Sequence, residues 1–282
     1  MAKKMIVANW KMNNAFEEAD QWLGTFIDLY ANNKDALQNL DIVICPPSFL
    51  VDYLDSQLLD NAFDGLETIM LAQNKQIEDF SEEEIADIVV GQRPFWLGAQ
   101  DCHFENAGSF TGDLSAEMVK KIGADYVILG HSERRENHFE TDEIIAKKVA
   151  AAVAQDIVPI LCVGENKEIR DQKKHLEFIY KQLLFSVPKG VKFYRLVIAY
   201  EPIWSIGTGV LPTIEEINEM TRMIKKILVE KGAEFAEEIF ILYGGSVTEE
   251  NSAEILAIEN VDGLLVGKAS LDAANFVKIC LS

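Results

Sequence analysis

Eight short apolar runs, separated by longer amphipathic stretches, constrain this chain more than any other feature. They are MIVANW (5–10), DIVICPP (41–47), FWLGAQD (95–101), DYVILGH (125–131), IVPILCVGE (157–165), RLVIAYE (195–201), EIFILYGG (238–245) and VDGLLVGK (261–268). Rich in β-branched and aromatic residues and lacking strict alternation, they suit strands buried on both faces of a parallel sheet. Between them, Thr141–Gln155 repeats Ile144, Ile145, Val149 and Val153 at helical spacing. Thr213–Lys231 does the same with Ile214, Ile217, Met220, Ile224 and Ile227. Strand–helix alternation eight times over predicts an α/β fold closed into a (β/α)8 barrel rather than an open sheet. No composition break divides residues 1–282, and that length is ordinary for one barrel domain.

One segment departs from the plain pattern. Asp60–Gln92, between the second helix and the third strand, carries nine acids and one lysine. Phe63, Leu66, Ile69 and Met70 mark one helical face, and Ser81 with Glu84 three residues on is a capping-box signature before Ile85, Ile88 and Val89. The segment reads as a small acidic helical insertion. Because it precedes a strand, it belongs on the barrel rim opposite the βα loops.

Charge narrows the partners. Lys and Arg total 26 against 46 Asp and Glu, a net charge of −20, which argues against nucleic acid and anionic membrane surfaces. An anionic small molecule remains open, since backbone N–H groups and one or two lysines can hold a phosphate locally. Cys45, Cys102, Cys162 and Cys280 are scattered without a CxxC pair, which reads as reduced thiols in a cytoplasmic protein. No stretch is long and apolar enough to span a bilayer, and the first apolar run is too short for a signal peptide.

The polar and glycine-rich residues that look chemical all follow strands. Asn9 and Lys11 come after the first run, His131 the fourth, Glu201 the sixth, Gly244-Gly245-Ser246 the seventh and Gly267-Lys268 the eighth. In a barrel these positions converge on one rim, where βα loops build active sites. The stretch AYEPIWSIGTGV (199–210) sets one carboxylate before an apolar segment that ends in glycines. Such a segment suits a lid that closes over a ligand and excludes water from the acid beside it.

Five motifs, NWKMN (9–13), ILGHSERR (128–135), AYEPIWSIGTG (199–209), YGGSV (243–247) and LLVGKASL (264–271), occur in that order. Together they resemble the triosephosphate isomerase family over nearly the whole chain apart from the insertion. The resemblance implies a TIM barrel and the interconversion of dihydroxyacetone phosphate and glyceraldehyde 3-phosphate. It further implies a place in glycolysis, gluconeogenesis and the pentose phosphate pathway, no metal or organic cofactor, and a homodimer.

The resemblance makes Glu201 the base that takes a proton from carbon. A lone loop Glu is ordinarily solvated, but the apolar lid would desolvate this one and strengthen it. The resemblance further implies the family's established pairing of a carboxylate base with a neutral histidine, which falls on Glu201 and His131. His131 read alone is as well a satisfied polar residue at the rim. His103, His138 and His175 match no catalytic motif. Lys11, at the end of a buried strand, suits both an ion pair with Glu133 and a role in stabilising the developing oxyanion; Glu133 is thereby drawn into the catalytic set.

Asn9, Gly207, Ser246, Gly267 and Lys268 complete the expected substrate contacts, the glycine turns offering backbone donors without bulk. Where the family's motif continues Val-Gly-Gly, this chain has Val266-Gly267-Lys268. The stretch CHFENAGSFTGD (102–113) resembles the family's projecting third loop, which docks in a partner subunit; otherwise Phe104 and Phe110 would be exposed rings. Two other functions fit less well. A binding protein on an inactive barrel would not need Asn9, Lys11, His131 and Glu201 together, and another phosphate-binding barrel enzyme would lack the joint set.

Overall fold

The computed structural model describes residues 3–190, 196–206, 210–230 and 239–282. Its strands are β1 (Lys4–Asn9), β2 (Leu40–Cys45), β3 (Trp96–Ala99), β4 (Tyr126–Leu129), β5 (Val158–Val163), β6 (Leu196–Tyr200), β7 (Ile239–Tyr243) and β8 (Gly263–Val266). They pair in sequence order, all parallel, and β8 closes on β1 through Met5↔Gly263 to Ala8↔Val266. Each strand lies within the apolar run that predicted it or within one residue of it.

Period-2 alternation sorts these runs into two cores. Met5, Val7, Val43, Cys45, Tyr126, Ile128, Ile160, Cys162, Val197, Ala199, Leu242 and Leu265 fill the barrel. Their neighbours, such as Ile6, Ile44, Val127 and Ile198, pack outward against the helices. This rule also aims the site. One step beyond Met5 and Val7 comes Asn9, and one step beyond Val197 and Ala199 comes Glu201. The outer core is strongest where Phe26, fully buried, stacks on Trp22 at 4.9 Å and meets Phe95 edge-on at 5.3 Å. Truncating such a ring to Ala costs about 3–5 kcal/mol.

Helix termini follow their sequence signals. Thr141 caps Asp142–Ala154 by accepting from the Ile144 N–H, and the helix Ile214–Glu230 covers the predicted second stretch. The Ser81/Glu84 capping box forms, with the Glu84 N–H donating to Ser81 Oγ and the Ser81 N–H donating to Glu84 Oε2.

The acidic segment needs one correction. No new element begins at Asp60: a single helix runs over Val51–Gln73, and its buried Ala62 and Leu66 continue the ridge of Val51, Leu54 and Leu58. Asn74, in the left-handed conformation at φ 51, ends it, and a short turn over Ile77–Asp79 leads into the helix Glu82–Gln92. The result is a helical hairpin. Gly65 faces Gln92 across it, where a Cβ would stand 3.2 Å from the Gln92 side chain. Arg93 then pairs with Asp55 at 2.9 Å just before β3, so the hairpin is tied to the N-terminal rim.

Candidate active site

At the C-terminal rim a cavity of about 240 Å³ is lined by Asn9, Lys11, His131, Glu201, Ser246, Gly267 and Lys268, among others. Seven expected site residues, drawn from five strand ends, therefore share one space. Glu133 does not line it but pairs with Lys11 from outside. Gly207 lies outside the described residues, as do the other residues of the expected lid beyond Ile206.

Lys11 is held in an unusual backbone conformation, φ +53, which non-glycine residues adopt rarely. Three contacts impose it. The Lys11 N–H donates to Asn9 Oδ1 at 3.0 Å, Gln100 Nε2 donates to the Lys11 carbonyl at 2.8 Å, and the ammonium meets Glu133 Oε1 at 2.6 Å. Gln100 also donates to the Cys45 carbonyl, joining the ends of β1, β2 and β3.

His131 stands at the N-cap of the helix Ser132–Asn137, where Nδ1 accepts the Glu133 N–H at 3.2 Å. That bond leaves the proton of the neutral ring on Nε2, which lies 3.0 Å from Glu201 Oε1. The other oxygen, Oε2, accepts the Ser132 N–H at 3.2 Å. Both side chains are nearly buried. Burial works against charge on His131, but the adjacent Glu201 carboxylate outweighs it and holds the imidazole above its usual value. Burial likewise opposes ionisation of Glu201, and is outweighed by His131 and the Ser132 N–H, so the carboxyl stays below its ordinary range.

Glu201 is fixed from below by its N–H, which donates to the Val163 carbonyl at 2.8 Å. Two glycines make room around it. A Cβ at Gly164 would fall 1.8 Å from the Glu201 carbonyl oxygen, and one at Gly244 would fall 2.9 Å from Glu201 Cγ. At the far end of the cavity the turn after β8 is pinned, with Ser270 donating through both N–H and Oγ to the Gly267 carbonyl. Lys11 reaches this end too, its Cε 3.6 Å from where a Gly267 Cβ would be.

Sequence reasoning missed the groups that brace the site. Glu165, fully buried after β5, accepts from Trp204 Nε1 at 2.9 Å and Tyr200 Oη at 3.1 Å. It anchors the start of the segment after Glu201, since Ile203 N–H donates to its carbonyl. Burial pushes its carboxyl up, opposed by those donors. Its signal was present, an acid directly after a strand in CVGE, the rule that picked out Glu201. Lys148, also buried, pairs with Asp101 and Glu140 at 2.7 Å each, and Arg134 joins both acids. This cluster fixes the short helix that His131 caps.

The family model described as triosephosphate isomerase matches residues 4–80 and 81–282. A triosephosphate isomerase of Ruegeria pomeroyi is 39% identical over 280 residues, spanning 99% of this chain and 96% of the relative. One from Brucella melitensis biotype 1 is 38% identical over 278 residues, with 99% and 96% covered. The crystal structure of triosephosphate isomerase from Bartonella henselae superposes with a TM-score of 0.76 at 33% identity, covering 99% of this chain and 98% of the other.

Proposed function

The chain belongs to the triosephosphate isomerase family, whose activity interconverts dihydroxyacetone phosphate and glyceraldehyde 3-phosphate, a glycolytic step, and we propose that Glu201, His131 and Lys11 carry that reaction here. The observation that carries the proposal is that a buried carboxylate, an imidazole whose Nδ1 accepts a backbone N–H and whose Nε2 faces that carboxylate, and an ammonium all line one small cavity. Moving a carbonyl between adjacent carbons requires a base at carbon and donors at oxygen. Glu201 takes the proton from one carbon and returns it to the next. His131 Nε2–H donates to the substrate oxygens, and Lys11 stabilises the negative charge of the enediolate.

In the substrate-free arrangement Glu201 is committed to His131 and Ser132. Substrate must draw the carboxylate away, and the influence that raises the imidazole leaves with it. His131 then faces the substrate as a neutral donor, because Nδ1 stays occupied by the Glu133 N–H. Glu133 acts as a positioning residue, holding Lys11 with its carboxylate and His131 with its backbone. Asn9, Ser246, Gly267 and Lys268 hold the substrate, with the phosphate at the glycine turns. Gly207 is the expected lid donor. Nothing in this scheme asks for a metal or organic cofactor.

The same reading includes a homodimer through residues 102–113. Supporting it, Met12 is 96% exposed, and Phe16, Phe49 and Phe110 are also well exposed around this rim. Apolar groups left in water at that density suit a partner surface. A cytoplasmic location is supported by four cysteines that are free and buried. Among the described residues no helix is long and apolar enough to cross a membrane.

A coupled isomerase assay on the wild-type chain, with Glu201→Gln as control, tests the scheme. An active wild type and an inactive, folded variant is the expected result. Equal turnover by both would remove Glu201 from the reaction.

A further inference from the structure

Trp22 does more than fill the outer core. It lies on the buried face of the helix Phe16–Asn32 with Ala19, Leu23 and Phe26, a position that any large apolar side chain could occupy. Its indole Nε1–H, however, donates at 2.9 Å to the carbonyl of Ser270, 248 residues away in the sequence. Burial alone does not account for that bond. Trp10 is buried more deeply still, yet its Nε1 has no hydrogen-bond partner among the described residues.

The bond acts on a wall of the cavity. Ser270 is fully buried in the short turn Lys268–Leu271, and its N–H and Oγ both donate to the Gly267 carbonyl. The indole thus holds, from the core side, a turn whose Lys268 and Ala269 line the cavity beside Gly267. The same ring meets Trp10 edge-on at 5.2 Å, and Trp10 directly precedes Lys11. One side chain therefore touches both the loop that carries Lys11 and the turn beside it. Lys11 has further fastenings of its own, to Asn9, Gln100 and Glu133, whereas this bond ties the turn to the outer core.

We propose that Trp22 is a positioning residue: its indole N–H, acting through Ser270, fixes the turn after β8 at the distance from Lys11 that substrate binding requires. This rests on the reading of the cavity as a triose-phosphate site. A phenylalanine ring would keep most of the packing but leave the Ser270 carbonyl without this donor, so the turn would be free to shift. The effect belongs to binding, because Lys11, His131 and Glu201 are held by other bonds.

The test compares wild type, Trp22→Phe and Phe26→Leu. Phe26 stacks on Trp22 at 4.9 Å, so Phe26→Leu damages the same core without removing the N–H. One hydrogen bond is worth about a two- to tenfold change in an equilibrium constant. Trp22→Phe is expected to raise KM for dihydroxyacetone phosphate by that factor with kcat nearly unchanged, whereas Phe26→Leu lowers the thermal midpoint and leaves KM alone. A second measurement does not need a Trp22 variant to fold. In wild type labelled with 5-fluorotryptophan, the four tryptophans give four fluorine signals. Trp10→Phe, Trp96→Phe and Trp204→Phe, made one at a time, identify that of Trp22 by elimination. Titration with dihydroxyacetone phosphate should shift it, because a ligand against the turn alters the bond at Ser270. An unchanged KM in Trp22→Phe, an equal rise in Phe26→Leu, or a Trp22 signal that stays still while ligand binds overturns the proposal. A wild type that binds the ligand and shifts the Trp22 signal but turns nothing over would strike the catalytic reading alone. One that binds no ligand overturns both.

Discussion

Nε2 of His131 lies 3.0 Å from Oε1 of Glu201 while Nδ1 of the same ring accepts the Glu133 N–H, so both ring nitrogens are committed before substrate arrives. One commitment is temporary and the other is built into a helix cap. Substrate can replace Glu201 at Nε2, but releasing Nδ1 would uncap the helix Ser132–Asn137. On the proposed scheme, the helix cap fixes the tautomer that His131 needs while Glu201, the proposed base, is left free to move.

Shortening the base tests how closely Glu201 must approach. Glu201→Asp retracts the carboxylate by one methylene, of the order of the 1 Å misplacement that costs ~100-fold in rate. We expect kcat to fall by about that factor with the thermal midpoint nearly unchanged. Near-normal turnover in a folded Asp variant would disprove the assignment.

The paired shifts of Glu201 and His131 set a pH window for stability. Glu201 titrates lower when folded, so its contribution is present above the unfolded carboxyl value of about 4.3 and is lost as pH falls through its folded value. His131 titrates higher when folded, so its contribution is full below about 6.5 and is lost as pH rises through its folded value. Both act together from about pH 4.3 to 6.5. Urea midpoints of wild type and Glu201→Gln, at fixed protein concentration, should differ most inside that window and converge on either side. A constant difference across pH would show that the pair is not coupled.

Much of this was legible because strands end where chemistry begins. The eight apolar runs located the strands, and residues just past them gave Lys11, His131 and Glu201, which the barrel then brought to one cavity. Ser132 was not legible, because it acts through its backbone N–H and its side chain carries no sign of that. Gln100 acts through carbonyls of residues far away in sequence. The hairpin boundary failed for another reason. Acidic composition changes at Asp60, but the i, i+4 ridge of Leu54, Leu58, Ala62 and Leu66 runs straight through it, and burial follows the ridge.

That ridge shapes the next expectation. Cutting at Asp60 would remove buried Ala62 and Leu66, whereas replacing residues 71–86 with a short Gly/Asn turn keeps them and the Arg93–Asp55 pair. Because the hairpin leads into the N-terminal end of β3, away from the cavity, kcat should stay within a few-fold of wild type. Steady-state kinetics on the folded variant check this. A collapse of kcat with KM intact would mean that the hairpin reaches the active rim.

The last expectation concerns Gly244, which looks like an ordinary turn residue in YGGSV. Its N–H donates to the Tyr200 carbonyl at 2.8 Å, which fixes the backbone, and φ there is not positive. Conformational freedom therefore does not explain the glycine; space does. A Cβ would stand 2.9 Å from Glu201 Cγ, and the Leu265 side chain at 3.5 Å blocks retreat on the other side. In Gly244→Ala something must shift, and the Glu201 side chain is the neighbour that a Cβ meets first. The fold should survive, since the backbone conformation suits alanine and Ala weakens no hydrogen bond. The base, however, would be displaced by a fraction of an ångström from the position from which it reaches carbon. We expect kcat to fall by roughly 10- to 100-fold with the thermal midpoint within a few degrees of wild type. The measurement pairs kinetics with a thermal melt. Loss of stability in step with activity would make Gly244 a packing residue, and full activity would show that Glu201 has room to spare.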